Sequence, residues 1–223
     1  MDTSLTGQAL TESRWSGEDV TVAQIERELA RLRDESSQQS SQPNLRTSVM
    51  THIAWVPARW QVAAEETLAG MGERHPSRTL LLVPLPDAAT DGLDAQLSLR
   101  CFPVGDHAVC GEVIELELRG RRAVAPASIV EPLLISDLPV FCRWRGEPPF
   151  GSAEFLQMLD VVDRLIVDSE EWEQLRYDEL MPVFEQAAVS DIAWRRIEPW
   201  RFELARRWPA IRGEAIEVRG ARR

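Results

Sequence analysis

The chain has 223 residues, of which 44% are hydrophobic and 27% charged, so it can bury one sizeable core with short appendages or the beginning of a second domain. Its formal net charge of −11 argues against a nucleic-acid-binding protein, because affinity for phosphate backbones comes mainly from accumulated positive charge. No apolar run approaches the roughly 20 residues of a membrane helix. The polar, acidic residues 1–21 are unlike a signal peptide, and three cysteines are too few for a secreted disulfide framework. The sequence therefore predicts a soluble, cytoplasmic protein without a membrane or nucleic-acid partner.

Residues 1–44 are predicted to form a leader, a helix and a linker. Residues 1–20 show little periodicity, which is typical of a loose leader. Thr21 and Gln24 have the spacing of a capping box, and apolar residues with helical spacing follow, namely Val22, Ile25, Leu29 and Leu32. This narrow stripe favours docking on the chain's own core over pairing with a partner helix. A linker rich in Ser and Gln is predicted over residues 36–44.

Residues 45–189 alternate between strand-like and helix-like stretches, the pattern of an α/β domain. The predicted fold is a mixed β-sheet flanked by helices. Strands are predicted at residues 46–56, 79–83, 93–103, 108–119, 139–144 and 161–167. Helices are predicted at residues 57–72, 121–135, 153–159 and 170–188, the last interrupted at Pro182.

Two of these strands are predicted to form a hairpin with its turn at residues 105–106. In that register Leu97 faces Ile114 and Cys101 faces Cys110. One face is then apolar and the other polar, and a slip by one residue would bury charged side chains. The pattern supports this register.

The last segment, residues 190–223, is predicted to hold a helix over 191–208, capped by Ser190 and kinked or restarted at Pro199. A strand over 214–219 would begin a truncated or rudimentary second domain. From residue 191 onward nine Arg stand against five Asp or Glu, about +4, whereas the preceding body carries about −15. The basic segment is either a contact surface or a solvated helix face.

Trp and Arg are the usual anchors of protein interfaces. The candidate partner-binding residues in the last segment are Trp194, Arg195, Arg196, Trp200 and Arg201. In the predicted contact the aromatic rings are buried and the arginines pair with carboxylates of the partner.

The sequence contains none of the common catalytic motifs. There is no Gly-x-Gly-x-x-Gly, Gly-x-Ser-x-Gly, His-Glu-x-x-His or Cys-x-x-Cys, and all 25 basic residues are Arg, which excludes Lys-based Schiff-base chemistry. His107 and Cys110 point to opposite faces of the predicted hairpin, so they cannot share a metal. His52 is interpreted as a structural histidine in a strand. We therefore expect no enzyme, no metal and no cofactor.

Two smaller groups of residues leave alternatives open. His75-Pro76-Ser77-Arg78 is either a helix stop that leads into a buried strand or an anion-binding site. Cys101 and Cys110 are either two small core residues or a redox pair, because directly opposed strand residues lie close enough for a disulfide.

Several stretches in order resemble the glucose-6-phosphate dehydrogenase assembly protein family (OpcA). They are His75-Pro-Ser-Arg-Thr-Leu-Leu-Leu-Val-Pro84, Leu93-Asp-Ala-Gln-Leu97, Ile135-Ser-Asp-Leu-Pro-Val140, Asp163-Arg-Leu-Ile-Val-Asp-Ser169 and Asp191-Ile-Ala-Trp-Arg-Arg-Ile-Glu-Pro-Trp200. The resemblance implies a non-catalytic partner of glucose-6-phosphate dehydrogenase that promotes its active oligomer as an allosteric activator, supporting the oxidative pentose phosphate pathway and NADPH supply. Members of the family usually continue into a second domain beyond the strand predicted at 214–219. A small-molecule sensor that binds a sugar phosphate or nucleotide at Ser77 and Arg78 is the alternative.

Overall fold

The computed structural model describes residues 11–40, 44–45, 48–64, 77–104, 106–210 and 212. Within these residues the strands are β1 Thr11–Gly17, β2 Asn44–Leu45, β3 Thr51–Trp55, β4 Arg78–Leu85, β5 Gly92–Val104, β6 His107–Arg119, β7 Val140–Trp144, β8 Arg164–Val167 and β9 Ala188–Asp191. The α-helices are α1 Val22–Ser40, α2 Arg121–Val124, α3 Ala127–Val130, α4 Ala153–Val161, α5 Tyr177–Leu180, α6 Ile192–Arg196 and α7 Glu198–Arg207. Short 3-10 helices lie at Ala58–Trp60, Glu131–Leu133, Ser169–Glu171 and Met181–Glu185, and residues 61–64 are helical.

The strands form one mixed sheet in the order β1-β5-β6-β4-β3-β7-β8-β9, with β2 paired to β6. The β5 strand is antiparallel to both β1 and β6, whereas the other pairs are parallel. The predicted α/β class with a mixed, helix-flanked sheet is confirmed. Because the chain crosses from one side of β3 to the other, the carboxyl ends of β3 and β7 form a topological switch point, where α/β folds often bind ligands.

Most of the core lies on one face of the sheet. Alternate residues of β3, including Ile53 and Trp55, point to this face, as a strand's period of two requires. The helices α1, α3 and α4 cover it with side chains such as Leu29, Ile129 and Phe155. The opposite face carries a smaller apolar cluster, formed by Ala54, Val56, Ala64, Leu81 and Val83.

The predicted hairpin is confirmed in its register. Leu97 pairs with Ile114 and Cys101 with Cys110 along β5 and β6. The predicted apolar strand at 79–83 is likewise buried, inside β4. These two elements were predictable because each pattern is local and a shift would expose apolar or bury charged side chains.

The helix α1 docks on the chain's own core, as its apolar stripe predicted, with Ile25, Leu29 and Leu32 buried. Its first turn has the predicted capping box, in which Thr21 N–H donates to Gln24 Oε1 at 2.8 Å and Gln24 N–H donates to Thr21 Oγ1 at 3.3 Å.

Two predictions for the N-terminal region are corrected. Residues 11–17 are not part of a loose leader but form β1, an edge strand in which only Trp15 is a large apolar residue, so the alternation was hard to recognise. Residues 36–40 are helical and not linker, because the buried Ser36 hydroxyl bonds Thr11 Oγ1 at 2.5 Å and Cys101 Sγ at 3.1 Å. Residues 1–10 of the predicted leader and residues 41–43 lie outside the described residues, and the predicted domain boundaries stay predictions.

Three predicted helices also differ from the structure. The helix over 121–135 is broken into α2, α3 and a 3-10 turn, because Pro126 prevents continuous helical bonding. The helix over 170–188 is mostly short turns followed by β9. The helix predicted from Pro57 begins with a 3-10 turn, and its part from residue 65 lies outside the described residues.

The last predicted helix is confirmed in its main features but not in its cap. It consists of α6 and α7, which meet before Pro199 as predicted. The cap is Asp191, whose side chain accepts from Ala193 N–H, whereas Ser190 lies in β9. The strand predicted over 214–219 lies outside the described residues. Within the described part of the chain, no helix has the length and apolar character needed to cross a bilayer.

Candidate interaction surface

The helices α6 and α7 expose large aromatic and aliphatic side chains. Trp194 is 50% and Trp200 49% exposed, and the neighbouring exposed apolar residues are Ile197, Phe202 and Trp208. The Arg201 guanidinium lies over the Trp194 ring, 3.9 Å from its centroid. We call this set, from Trp194 to Trp208, the α6–α7 surface.

This surface is fixed to the carboxyl ends of β8 and β9 through Asp191. Its Oδ1 accepts from the N–H groups of Ser169 and Ala193, each at 3.0 Å. Its Oδ2 accepts from the Ser169 hydroxyl at 2.8 Å and the Tyr177 hydroxyl at 3.2 Å. One carboxylate thus caps α6 and ties it to the segment after β8.

Arg196 provides a second attachment. It pairs in a bidentate manner with Asp168, with Nη1···Oδ1 at 2.9 Å and Nη2···Oδ2 at 2.6 Å, and its Nη1 also donates to Glu170 at 2.8 Å. Hydrogen bonding to Asp168 raises the pKa of Arg196 above its usual value. The Asp168 side chain is only 5% exposed, so its charge needs this partner.

The five residues predicted to bind a partner therefore divide into two groups. Trp194, Arg195, Trp200 and Arg201 lie on the α6–α7 surface, whereas Arg196 is held by its own chain. Partner binding by all five stays a prediction.

The switch point between β3 and β7 is occupied by a carboxylate of the chain itself. Glu171 Oε1 accepts from Arg143 Nη2 at 2.7 Å and from Arg145 Nη1 at 2.6 Å, and its Oε2 accepts from Gly146 N–H at 2.7 Å. The pKa of Arg143 is lowered, and burial is the largest cause. Two guanidinium groups and a backbone N–H are donors that could bind an external anion, but here they bind Glu171.

Sequence reasoning missed Glu171. It lies in a stretch predicted as helix, and its partners lie in β7 and directly after it, at least 25 residues earlier. Arg143 and Arg145 alternate with Trp144 at the end of a strand, and this is the one local signal that charge is placed at the sheet edge.

At the amino ends of the parallel strands, Arg78 is the first residue of β4, and its side chain is buried. Its Nε donates to Glu112 Oε2 at 2.9 Å, and Arg33 Nε donates to Glu112 Oε1 at 2.5 Å. Arg78 Nη1 donates to the Leu133 carbonyl at 2.6 Å and to Glu26 Oε1 at 3.3 Å. We call Arg33, Glu112 and Arg78 the buried triad.

The electrostatics of the triad follow from burial and charge. Burial acts to raise the pKa of Glu112, but the hydrogen bond from Arg33 and the charge of Arg78 outweigh it, so the pKa lies below its usual value. Ser77 is buried beside the triad, and its carbonyl accepts from Glu112 N–H at 3.1 Å. His75 and the end of the helix predicted before it lie outside the described residues, and the anion-binding alternative stays a prediction.

The two hairpin cysteines form a disulfide, with Cys101 Sγ bonded to Cys110 Sγ. Cys142 is a buried free thiol whose pKa is raised to about 12, chiefly by burial.

Burial, and then the charge of Arg143, lowers the pKa of the buried His52 to about 4, so this imidazole is neutral at neutral pH. Its Nδ1 has no hydrogen-bond partner among the described residues. The same part of the chain contains no group of three or more His, Cys, Asp or Glu side chains placed to hold a metal ion.

The disulfide predicts the outcome of a thiol titration. In concentrated guanidinium chloride the oxidised protein should show one thiol, Cys142, and the reduced protein should show three. In the folded oxidised protein Cys142 should react slowly, because it is buried and its thiolate is disfavoured. Three thiols in the oxidised, denatured protein would show that Cys101 and Cys110 are not bonded, and alkylating free thiols before denaturation controls for exchange.

Comparison with known proteins places these features in a family. A family model described as the glucose-6-phosphate dehydrogenase subunit N-terminal domain matches residues 69–180. The chain is similar to two proteins described as "Putative OxPP cycle protein OpcA". It is 28% identical over 137 residues to that of Nostoc punctiforme, across 57% of this chain and 29% of the relative. It is 27% identical over 133 residues to that of Synechocystis, across 57% of this chain and 28% of the relative.

The match therefore spans less than a third of the length of each curated relative. No solved structure matches the chain. The α6–α7 surface lies beyond the residues that the family model matches, whereas Arg78, Glu112, Glu171 and Asp168 lie within them. Because that model matches half of the chain, the chain belongs to the family of glucose-6-phosphate dehydrogenase subunit N-terminal domains, the OpcA family.

Proposed function

We propose that this chain is a non-catalytic assembly factor and allosteric activator of glucose-6-phosphate dehydrogenase. It binds the dehydrogenase in the cytoplasm, promotes its active oligomer and so supports the oxidative pentose phosphate pathway and its supply of NADPH. The family membership supports the choice of partner. The observation that carries the proposal of a binding role is the exposed α6–α7 surface.

The chemistry of this surface supports partner binding. Exposed Trp and Arg side chains are enriched among the residues that contribute most to binding energy, and Trp194 and Trp200 are each about half exposed. Arg195 and Arg201 add positive charge beside the rings. The Arg side chains favour a partner with carboxylates around an apolar pocket, because opposite charges steer association and fix the orientation of binding.

The Glu171 carboxylate at the switch point between β3 and β7 supports a non-catalytic role. In α/β enzymes this position commonly receives a phosphate or nucleotide. Here Glu171 already accepts hydrogen bonds from Arg143, Arg145 and Gly146. An external anion would have to displace a carboxylate that is itself 8% exposed.

Activation needs no chemistry on this chain. A protein that binds the active oligomer more tightly than the inactive form shifts the population toward the active oligomer by the difference in binding free energy. A 100-fold preference, about 2.7 kcal/mol, converts an active population of about 10% into one of about 90%.

The direct test mixes the chain with the dehydrogenase of the same organism at micromolar concentrations. Both the initial rate of NADP⁺ reduction and the oligomer mass should increase, the mass being measured by analytical ultracentrifugation. No change in either quantity would overturn the proposal.

The surface is tested by the double variant Trp194→Ala/Trp200→Ala. It should bind the dehydrogenase at least about 30-fold more weakly, corresponding to about 2 kcal/mol for the loss of aromatic anchors. Leu156→Ala, at an exposed apolar position on α4, is the matched control and should bind like the wild type. Wild-type affinity in the double variant would place the contact elsewhere, even if activation itself is observed.

A further inference from the structure

The sheet ends at β9, and two exposed apolar regions of opposite charge lie beside this strand. β9 is the last strand in the sheet order, and among the described residues β8 is the one strand that pairs with it. The outer N–H and C=O groups of an edge strand can pair with a strand of another chain. We propose that two copies of this chain associate at this edge, with β9 antiparallel to β9. The α6–α7 surface of each copy then packs on residues 173–186 of the other copy, which we call the acidic connection.

The helix α7 lacks a surface to pack on within the single chain. None of its 10 residues is buried, and Trp200 and Phe202 are exposed. A helix of this length is marginal in water on its own, because most helical stability in proteins comes from the packing of an apolar face. The Arg201 guanidinium lies over the Trp194 ring, so one side of the α6–α7 surface is continuous across both helices. This side needs a partner surface that the described residues of the same chain do not provide.

The acidic connection, which joins β8 to β9, carries the second exposed apolar set. Leu175, Met181 and Phe184 are each more than half exposed. Leu180 and Val183 of the same stretch are buried in the core, so they hold the connection against the sheet. Exposed apolar side chains grouped on an ordered surface are typical of an interaction site.

The two surfaces have opposite charges. Residues 192–208 contain five Arg and two Glu, a net charge of +3, whereas the acidic connection contains four Asp or Glu and one Arg, a net charge of −3. Glu173, Asp178 and Glu185 are exposed and form no ion pair within the described part of the chain. Two basic α6–α7 surfaces would repel each other, but one such surface and an acidic connection attract, and this charge pattern fixes the orientation of binding.

A two-fold axis brings the two surfaces together. Because β9 is parallel to β8, the acidic connection has to return to the amino end of β9, whereas α6 begins directly after its carboxyl end. In an antiparallel pair of β9 strands, the amino end of each strand lies beside the carboxyl end of the other. The α6–α7 surface of each copy then faces Phe184 and Glu185 of the other copy. The same contact is therefore made twice, as in other symmetric dimers.

The exposed apolar area is large enough for a dimer. Eight large apolar side chains, three on the acidic connection and five on the α6–α7 surface, are each at least 42% exposed. At roughly 100 Å² each, they present on the order of 800 Å² per copy. Each partner in a standard protein interface buries about 800 Å².

Self-association would cover the surface that we propose for the dehydrogenase, so a second copy and the dehydrogenase compete for it. This consequence alone rests on the proposed function. Self-association itself needs no dehydrogenase, so its failure and the failure of the proposed function are separate results.

The test is analytical ultracentrifugation of the full chain from about 1 to about 200 μM, with a dimer Kd expected at about 10 μM or tighter. The mass should rise from that of one chain to that of two. Amide hydrogen exchange of β9 and α7 should become slower over the same range, whereas that of α1 should not change. The mass of one chain at every concentration, a mass above that of two chains, or exchange of β9 that is independent of concentration would overturn the proposal.

Charge reversal tests which surfaces meet. Glu185→Arg and Arg195→Glu, both at exposed positions, should each weaken self-association at least about tenfold, because like charges then meet at both symmetric contacts. An equimolar mixture of the two variants should associate about as tightly as the wild type, since one contact keeps its native charges and the other has both reversed. Asp160→Arg, at an exposed position on α4, is the matched control and should associate like the wild type. A mixture no tighter than the separate variants would overturn the assigned contact.

Discussion

Glu112→Ala is expected to lower the free energy of unfolding by about 3–5 kcal/mol, the range observed when one partner of a buried ion pair is removed. Glu112 accepts from Arg33 at 2.5 Å and from Arg78 at 2.9 Å, and all three side chains are at most 15% exposed. Without this carboxylate, two buried positive charges repel each other at low effective dielectric constant. Urea unfolding followed by tryptophan fluorescence measures the loss.

Glu35→Ala is the matched control on the protein surface. Glu35 pairs with Arg31 at the same 2.5 Å distance, but both side chains are close to half exposed. Its removal should cost about 0.5 kcal/mol or less, because solvent screens the pair. Similar losses in the two variants would contradict the view that burial of the triad makes it important.

A pH series gives a second readout for Glu112. Because its folded-state pKa is lowered, the ionised carboxylate contributes stability above the ordinary pKa of Glu, about 4.3. That contribution is lost as the pH falls through the lowered pKa. The stability difference between wild type and Glu112→Gln should therefore shrink on acidification, and a difference that grows would have the wrong sign.

The features that the sequence predicted well depend on local patterns. The hairpin register follows from alternation along two adjacent strands, and the docking face of α1 follows from helical spacing of Ile25, Leu29 and Leu32. In both cases a wrong register or a wrong face would bury charge. Residues that are close together in the sequence are therefore enough to predict both features.

The features that the sequence did not predict depend on contacts between residues that are distant in the chain. β1 is mostly polar and is a strand because it pairs with the edge of β5, 78 to 90 residues later. Glu171 is fixed by Arg143 and Arg145, and the buried triad joins residues from α1, β4 and β6. No spacing rule along the sequence indicates which Arg meets which carboxylate.

Arg196 shows the same limit within the candidate surface. The sequence grouped it with Arg195 because both belong to a basic, Trp-containing helix. In the folded chain the side chains of Arg195 and Arg196 contact different groups. Arg196 reaches the buried Asp168, whereas Arg195 pairs with Glu198 at 3.1 Å and both partners are more than half exposed. Composition identifies a candidate surface, but only the fold separates its exposed residues from those that hold the surface in place.

Arg196→Ala and Arg195→Ala should therefore give different results. Arg196→Ala removes the bidentate partner of Asp168 and should cost about 2 kcal/mol, within the range for hydrogen bonds to charged groups. Because the loss lies where α6 joins the sheet edge, hydrogen exchange of α6 and α7 should become faster. Arg195→Ala should leave both stability and exchange close to those of the wild type.

The affinity for the dehydrogenase is the third quantity to compare between Arg195→Ala and Arg196→Ala. Both variants should bind more weakly, Arg195→Ala by the loss of a peripheral charge and Arg196→Ala because the α6–α7 surface is no longer held in one orientation. Equal exchange rates in the two variants would contradict the anchoring role of Arg196. If only Arg196→Ala loses protection while both lose affinity, the ion pair with Asp168 pre-organises the surface, and the stability of α6 and α7 sets the affinity as much as their exposed rings do.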